Sequence, residues 1–339
     1  MMKKYFLLML IAFPLTFFFT ACGNDDEDEG EVVVVNEDGT TSNRSVFLRI
    51  DDKNFCLDYV KYTIASDGNL VVSGYNEWQH AGGVANIYPN VSVSGHTYKV
   101  ASVTYDAFKD CRDMTSVIFP PTIRYIGECA FYNCSGLKSL FIPKSVDTIG
   151  ELAFSGCGGL ENITVEEGNE NFDSRNNCNA IISKKGSLIK GCENTVIPDN
   201  VLRISMDAFR GCTGLNSINI PNTVTSIEQS AFEDCSGLTS IIIPNSAYQI
   251  GSFAFQGCNS LTSVTISNSI EIIGNKAFSG CTSLTSIHCK ATNPSPAAPY
   301  SEVFDNSTYS SATLYIPRGS LDAYRENAIW SRFKDIVEE

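Results

Sequence analysis

The side chains best suited to nucleophilic or metal chemistry in this chain are its thirteen cysteines and three histidines. His80, His96 and His288 stand far apart in sequence, and no motif ties any of them to a cysteine. No Cys-x-x-Cys pair occurs, which is the spacing a zinc site favours. His288 and Cys289 form only a lone pair in a strand-like stretch. A Gly-rich phosphate loop, a Gly-x-Ser-x-Gly elbow and a His-Glu-x-x-His helix are all missing from the sequence. Carboxylates beyond the N-terminal segment are scattered over variable positions, as solvated surface acids are. The expectation is a protein with no catalytic residues, no metal site and no cofactor.

Cysteine has another pattern here. Seven of the thirteen, Cys111, Cys134, Cys157, Cys212, Cys235, Cys258 and Cys281, end the motif Ala-Phe-x-x-Cys. Its alanines are Ala107, Ala130, Ala153, Ala208, Ala231, Ala254 and Ala277, and five of the six gaps are 23 residues. The sixth, from Ala153 to Ala208, is 55 residues. A strict period of this size means stacked supersecondary units, each too small to bury its own apolar face. Stacked rungs lie about 5 Å apart, so the seven cysteines form a column. Ladder side chains point the same way and keep their Cβ atoms near the rung spacing, beyond the roughly 3.5–4.5 Å of a disulfide. A column of buried thiols acting as small hydrophobes is the favoured reading. Disulfides, which an exported protein with many cysteines would suggest, are the alternative.

The elements that position this column can be read from Cys212 to Cys235. Leu215, Ile218 and Ile220 make one strand-like stretch, with Ile218 and Ile220 at the strand period. Pro221 ends it without loss of a ladder bond. Val224 and Ile227 form a second short apolar pair, and Ala231, Phe232 and Cys235 are expected on a single helical turn. The letters recur at Leu137, Leu140, Ile142, Pro143, Val146 and Ile149, and again at Leu238, Ile241, Ile243, Pro244 and Ile250. The motif L-x-x-I-x-I-P-x-x-V-x-x-I-G-x-x-A-F-x-x-C resembles the BspA-like leucine-rich repeat family of bacterial cell-surface lipoproteins. The expected fold is a β-rich leucine-rich-repeat solenoid of 23-residue rungs over 107–290, with a long, looped-out rung at about 162–200.

The flanks read as caps, which a solenoid needs because its terminal rungs would otherwise expose core. Residues 46–106 carry short strands such as Asn69 to Val72 and Tyr98 to Val103 between the turns Asp67-Gly68 and Ser94-Gly95, a small β cap with Trp78 in a Gly-flanked loop. Residues 291–339 begin with a Pro-rich loop. A last strand is expected from Thr313 to Ile316, then a helix from Leu321 to Asn327 capped by Ser320, with Asp322 in its first turn. Trp330, Phe333 and Ile336 are expected to fold back as a lid.

The N-terminus reads as an address. Lys3 and Lys4 precede an uncharged, mostly apolar stretch from Tyr5 to Ala21, the layout of an export signal. Thr20-Ala21-Cys22-Gly23 resembles a bacterial lipoprotein box, which implies a signal over 1–21 and lipidation of Cys22; Phe19 stands where that box usually has leucine. Asp25, Asp26, Glu27, Asp28 and Glu29 follow, in an acidic, disordered tether over 22–45. By resemblance this run is similar to the surface-export tag of certain Gram-negative anaerobes, so the expected location is the outer membrane, lipid-anchored and facing outward.

Hydrophobic residues make up 43% of the chain, enough for a true core, and the net charge is −14. Such a chain repels polyanions, so nucleic acid is not an expected partner. Binding by a repetitive surface remains. The residue between the two inward strand positions must point out. In order these are Ile118, Phe141, Thr164, Asn219, Ile242, Thr265 and His288, a candidate ligand-contact strip beside a row of serines, Ser116, Ser139, Ser217, Ser240, Ser263 and Ser286. The family resemblance implies adhesion to host matrix proteins, host cells or other bacteria. The alternatives are glycan or nutrient capture at the outer membrane, and a structural envelope role. The expected partner is thus an extracellular protein or glycan.

Overall fold

The computed structural model describes residues 60–75, 83–93, 95–294 and 302–339, together with the backbone of four upstream strands, Val32–Val35, Thr41–Ser42, Phe47–Arg49 and Asn54–Leu57. Trp78, Cys22 and the acidic run from Asp25 to Glu29 lie outside the described residues.

Each rung places its leucine, isoleucine and valine side chains inward along two strand-like sides and its Ala-Phe pair along a third. In one rung Leu137, Leu140, Ile142, Val146, Ala153, Phe154 and Cys157 are all buried. The first side is a parallel sheet of Val84–Asn86, Ser116–Ile118, Ser139–Ile142 and Asn162–Val165. It resumes with Ser240–Ile242, Ser263–Ile266, Ser286–Cys289, Thr313–Ile316 and Asp335–Glu338. The second side uses two-residue strands, among them Tyr125–Ile126, Thr148–Ile149, Arg203–Ile204, Ser226–Ile227, Gln249–Ile250 and Ile272–Ile273, paired in parallel. Parallel pairing follows from the period, because every copy runs the same way and meets its neighbour one repeat on.

The third side differs from expectation. Ala231 to Cys235 and its equivalents are not a helical turn. The residue before each alanine has a positive φ, as at Cys129 (53°), Ser230 (52°) and Phe253 (60°), and so does the residue before each cysteine, as at Asn133 (58°), Asp234 (59°) and Gly257 (72°). Between these left-handed residues, alternate backbone N–H groups reach the next rung: Phe232 N donates to Ala254 O at 2.7 Å and Asp234 N to Gln256 O at 2.7 Å. An α-turn would bond within itself and leave the rungs unlinked there, so the inter-rung ladder takes precedence.

The phenylalanines stack into two aromatic columns. Phe108, Phe131 and Phe154 lie 4.8 and 5.4 Å apart between centroids. Phe209, Phe232, Phe255, Phe278 and Phe304 follow at 4.9, 5.1, 5.1 and 5.3 Å. Phe304 is an eighth member missed by the motif: valine stands at Val303 for alanine, 26 residues after Ala277. Its rung is still in register, since Phe278 N donates to Val303 O at 2.9 Å.

The irregular stretch keeps a first-side strand, Asn162–Val165, and inserts a hairpin after it. Phe172–Asp173, Ala180–Ser183 and Ser187–Gly191 form an antiparallel hairpin pair, and Ser187–Gly191 then rejoins the second side in parallel with Arg203–Ile204. Apolar runs on either side of Lys184-Lys185-Gly186 drive this pairing, with Gly186 supplying φ +84° at the turn. Buried Asn169 fixes the entry: its Nδ2 donates to Pro143 O and Val146 O, and its Oδ1 accepts from Asn171 N and Phe172 N. Downstream, residues 216–220 form no strand, contrary to the expectation for Ile218 and Ile220, and the first side is interrupted there.

At the N-terminal end an antiparallel sheet runs from Phe47–Arg49 to Leu70–Tyr75, which pairs in parallel with His96–Val103. His96–Val103 in turn pairs with Tyr125–Ile126, and Val84–Asn86 pairs with Ser116–Ile118, so the cap lays one strand on each side. Val32–Val35 pairs with Asn90–Val93, so strand begins inside the segment expected as tether. A run of four valines has strong β propensity.

At the C-terminal end Thr313–Ile316 is not the last strand, because Asp335–Glu338 adds outside it. The helix is Leu321–Glu326, and Ser320 does not cap it. The Ser320 hydroxyl donates to Pro317 O instead, and Glu338 Oε1 accepts from Leu321 N at 3.1 Å. Trp330 and Phe333 close over Phe304 as the expected lid, while Ile336 belongs to the final strand.

Candidate functional site

Outward alternation on the first side places the candidate strip. Ile118, Phe141 and Ile242 are 53%, 48% and 67% exposed, large apolar side chains at wet positions. Thr164 and Asn219 are exposed; Thr265 and His288 are half-buried. The register brings Phe141 beside Thr164, and Ile242, Thr265 and His288 into one row. Asn219 sits in the interrupted segment, so the strip is two blocks rather than one line. The serine row, two residues' rise away on the same face, is exposed or half-buried throughout.

Two further members escaped sequence reasoning. Tyr315 continues the row after His288, with the two rings stacked at 4.5 Å and 8°, and Val337 follows it. Reading Thr313 to Ile316 as a strand would have turned Tyr315 outward, but the final strand was needed to place Val337. His288 is tied down, with its Nε2 2.8 Å from Ser286 Oγ and its Nδ1 3.2 Å from Glu339 Oε1. The second side also carries exposed apolar side chains. Leu202 and Tyr248 lie in one column, linked through Thr225 by backbone bonds.

The cysteine column explains its own repetition. Cys134, Cys157, Cys235, Cys258 and Cys281 each donate S–H to the carbonyl of the phenylalanine 26 residues earlier, at 2.9 to 3.2 Å. The thiol adds a second donor, from the neighbouring rung, to a buried carbonyl that already accepts the backbone N–H three residues on. Burial pushes the Cys235 and Cys281 thiols up, and Cys258 to about 12, so these groups stay protonated and unreactive. Cys157 differs. Burial raises it, but the Cys134 thiol bond and the Lys190 ammonium outweigh this and hold it low.

Lys190 marks the one place in the repeats where charge enters the core. It is buried between the two aromatic columns' ends, where the hairpin has displaced the regular rung. Nearby, Ser155 Oγ donates to Asp207 Oδ2, and Arg210 pairs with both Asp207 and Glu233. Among the described residues no group of three or more His, Cys, Asp or Glu side chains is placed to hold a metal ion, and no helix is long and apolar enough to cross a membrane.

The family model described as BspA type leucine rich repeat region matches residues 92–185 and 188–311, in six copies. Among solved structures, a leucine-rich repeat protein from Eubacterium ventriosum aligns at 19% identity and a TM-score of 0.51, covering 80% of this chain and 84% of its own. One from Bacteroides ovatus aligns at 26% identity and a TM-score of 0.47, covering 84% and 79%. No curated protein matches the sequence.

Proposed function

The chain belongs to the BspA-type leucine-rich repeat family, and we propose that it is a surface-displayed binding protein that acts as an adhesin toward host matrix proteins, host cells or other bacteria. The contact surface is the outward row of Ile118, Phe141, Thr164, Asn219, Ile242, Thr265 and His288, continued by Tyr315. One observation supports this above the rest: three large apolar side chains stand 48 to 67% exposed on the outward face of paired parallel strands. Exposed apolar residues that line up over a rigid platform are suited to a partner's surface. Attachment through lipidated Cys22, with the acidic run from Asp25 to Glu29 directing the protein outward, is part of the same proposal and rests on the Thr20-Ala21-Cys22 layout.

The test is an array of matrix proteins and glycans probed with the soluble chain, followed by Phe141→Ala with Ile242→Ser in one variant. Binding to an immobilised protein should weaken by more than about 1–2 kcal/mol, with the thermal midpoint unchanged. Unaltered binding would remove the strip, and binding to glycans alone would replace adhesion with glycan capture. For the anchor, Cys22→Ala should release the protein from the membrane fraction; unchanged retention would refute it.

A further inference from the structure

Both sheets of the solenoid stop at the same seam. On the first side, the sheet that starts at Val84–Asn86 ends at Asn162–Val165, and the next holds Ser240–Ile242. On the second side, the sheet holding Thr148–Ile149 ends there, and a separate one runs from Phe172–Asp173 to Ile272–Ile273. Among the described residues, no strand pair and no loop backbone hydrogen bond joins 60–168 to 172–339. The interruption at 216–220 is of another kind. There the second side still pairs Arg203 with Ser226, and on the third Phe209 N donates to Ala231 O at 2.8 Å.

The apolar core divides at the seam too, with the hairpin as the wall between two clusters. Strand alternation turns its side chains to opposite faces. Ile181 belongs to the N-terminal cluster, and Ile189 packs against it; Ala180, Ile182 and Leu188 belong to the C-terminal one. The wall is tied to the C-terminal side by backbone, through the pairing of Ser187–Gly191 with Arg203–Ile204 and through Gly191 N to Ala208 O at 3.0 Å. Toward the N-terminal side its bonds use side chains. Ile163 N donates to Asn179 Oδ1 at 2.6 Å and Val165 N to Ser174 Oγ at 3.0 Å. Ser155 Oγ donates to Asp207 Oδ2, and Arg210 Nη1 to Tyr132 Oη at 3.2 Å. A cavity of about 270 Å³ lies in the same seam, with Ile149 and Ser155 on one side and Ile189 and Met206 on the other.

A stacked array is held by the terms within each repeat and the interface between neighbours. An interface without a backbone ladder, and with a void that forfeits packing contacts, is its weakest. We propose that this seam is a hinge: 60–168 and 172–339 are two cooperative bodies that open at the cavity and unfold separately, with Asn169 to Asn171 as the joint. Ile118, Phe141 and Thr164 ride on one body and Asn219, Ile242, Thr265 and His288 on the other, so opening changes the spacing between the two blocks of the outward row. The hinge itself does not rest on the binding reading.

Residue-resolved hydrogen exchange on the full chain tests it. Opening frees the amides of Ile163 and Val165, whose acceptors stand across the seam. Glu161 N and Glu166 N donate to Lys138 O and Ile142 O within their own body and stay bonded. Corrected for intrinsic rates, Ile163 and Val165 should exchange about tenfold or more faster than Glu161 and Glu166. Phe232→Ala should lower the protection of the slowest amides in 203–339 by about a hundredfold or more and leave those in 60–165 unchanged; Phe131→Ala should do the reverse. The hinge is overturned if Ile163 and Val165 are protected as well as Glu161 and Glu166, or if either phenylalanine variant lowers protection in both bodies by the same factor.

Discussion

The run from Phe209 to Phe304 and the stretch from Phe154 to Gly191 lie next to each other in the same solenoid and reach opposite outcomes. In the run, adjacent rings stay within 3 to 13° of parallel, and no charged side chain is buried. In the stretch, a hairpin replaces one rung, no ring bridges Phe154 to Phe209, and a lysine and a cavity occupy the space. A perfect repeat packs each rung against a copy of itself and leaves no room for anything else. Concavity and charge appear where the period fails.

Breaking the regular run should have the largest effect. Phe232→Ala removes a ring stacked on both faces and fully buried, and should cost about 3–5 kcal/mol in chemical denaturation. A loss below about 1 kcal/mol would mean the column is not what holds the rungs. In the interrupted stretch, Asn169→Ala strips four hydrogen bonds from the hairpin's entry and should cost about 3 kcal/mol, with hydrogen exchange rising first over 171–191. Protection lost evenly along the chain would show that the hairpin is not a separate unit.

Gly191→Ala probes the seam itself. A Cβ there would stand 2.2 Å from Phe209 Cε1, the first ring of the second column. Overpacking of this kind should cost about 2 kcal/mol, read from the thermal midpoint. An unchanged midpoint would mean the seam is loose enough to accept a methyl group. The smallest effect belongs to the backbone of the regular run. Lys276 is exposed with φ 55°, so Lys276→Gly relieves a left-handed residue while losing no packing, and should stabilise by about 0.5 kcal/mol after glycine's extra chain entropy is counted.

The two left-handed positions of each rung show how far local chemistry reaches. The one before each cysteine holds Asp110, Asn133, Gly156, Gly211, Asp234, Gly257 or Gly280, residue types that favour positive φ on their own. There the local sequence agrees with the conformation, although the segment was expected on a helical turn. The one before each alanine holds Asp106, Cys129, Leu152, Asp207, Ser230, Phe253 or Lys276, which follow no such rule. There the conformation comes from bonds to the next rung, such as Ser230 N to Ser252 O at 2.9 Å and Lys276 N to Glu302 O at 2.8 Å. Reading a helical turn at this place was therefore a natural error, since no single unit contains the partner.

The same division holds for the sites. Alternation along a strand is a local property, so the outward positions of Ile118, Phe141 and Ile242 followed from the repeat alone. So did the column of cysteines and the parallel stacking, because a 23-residue period repeats every contact one rung later. Other features depended on groups distant in sequence meeting in space. Glu338 displaced Ser320 as the cap of Leu321–Glu326, from 17 residues away. Glu151, Lys190 and Glu228 converge on one cavity only because a hairpin with its own hydrogen-bond demands took the place of a rung. Periodicity is encoded residue by residue and survives without knowledge of the fold, whereas an interruption is resolved by whichever packing best satisfies the backbone around it, and that is decided in three dimensions.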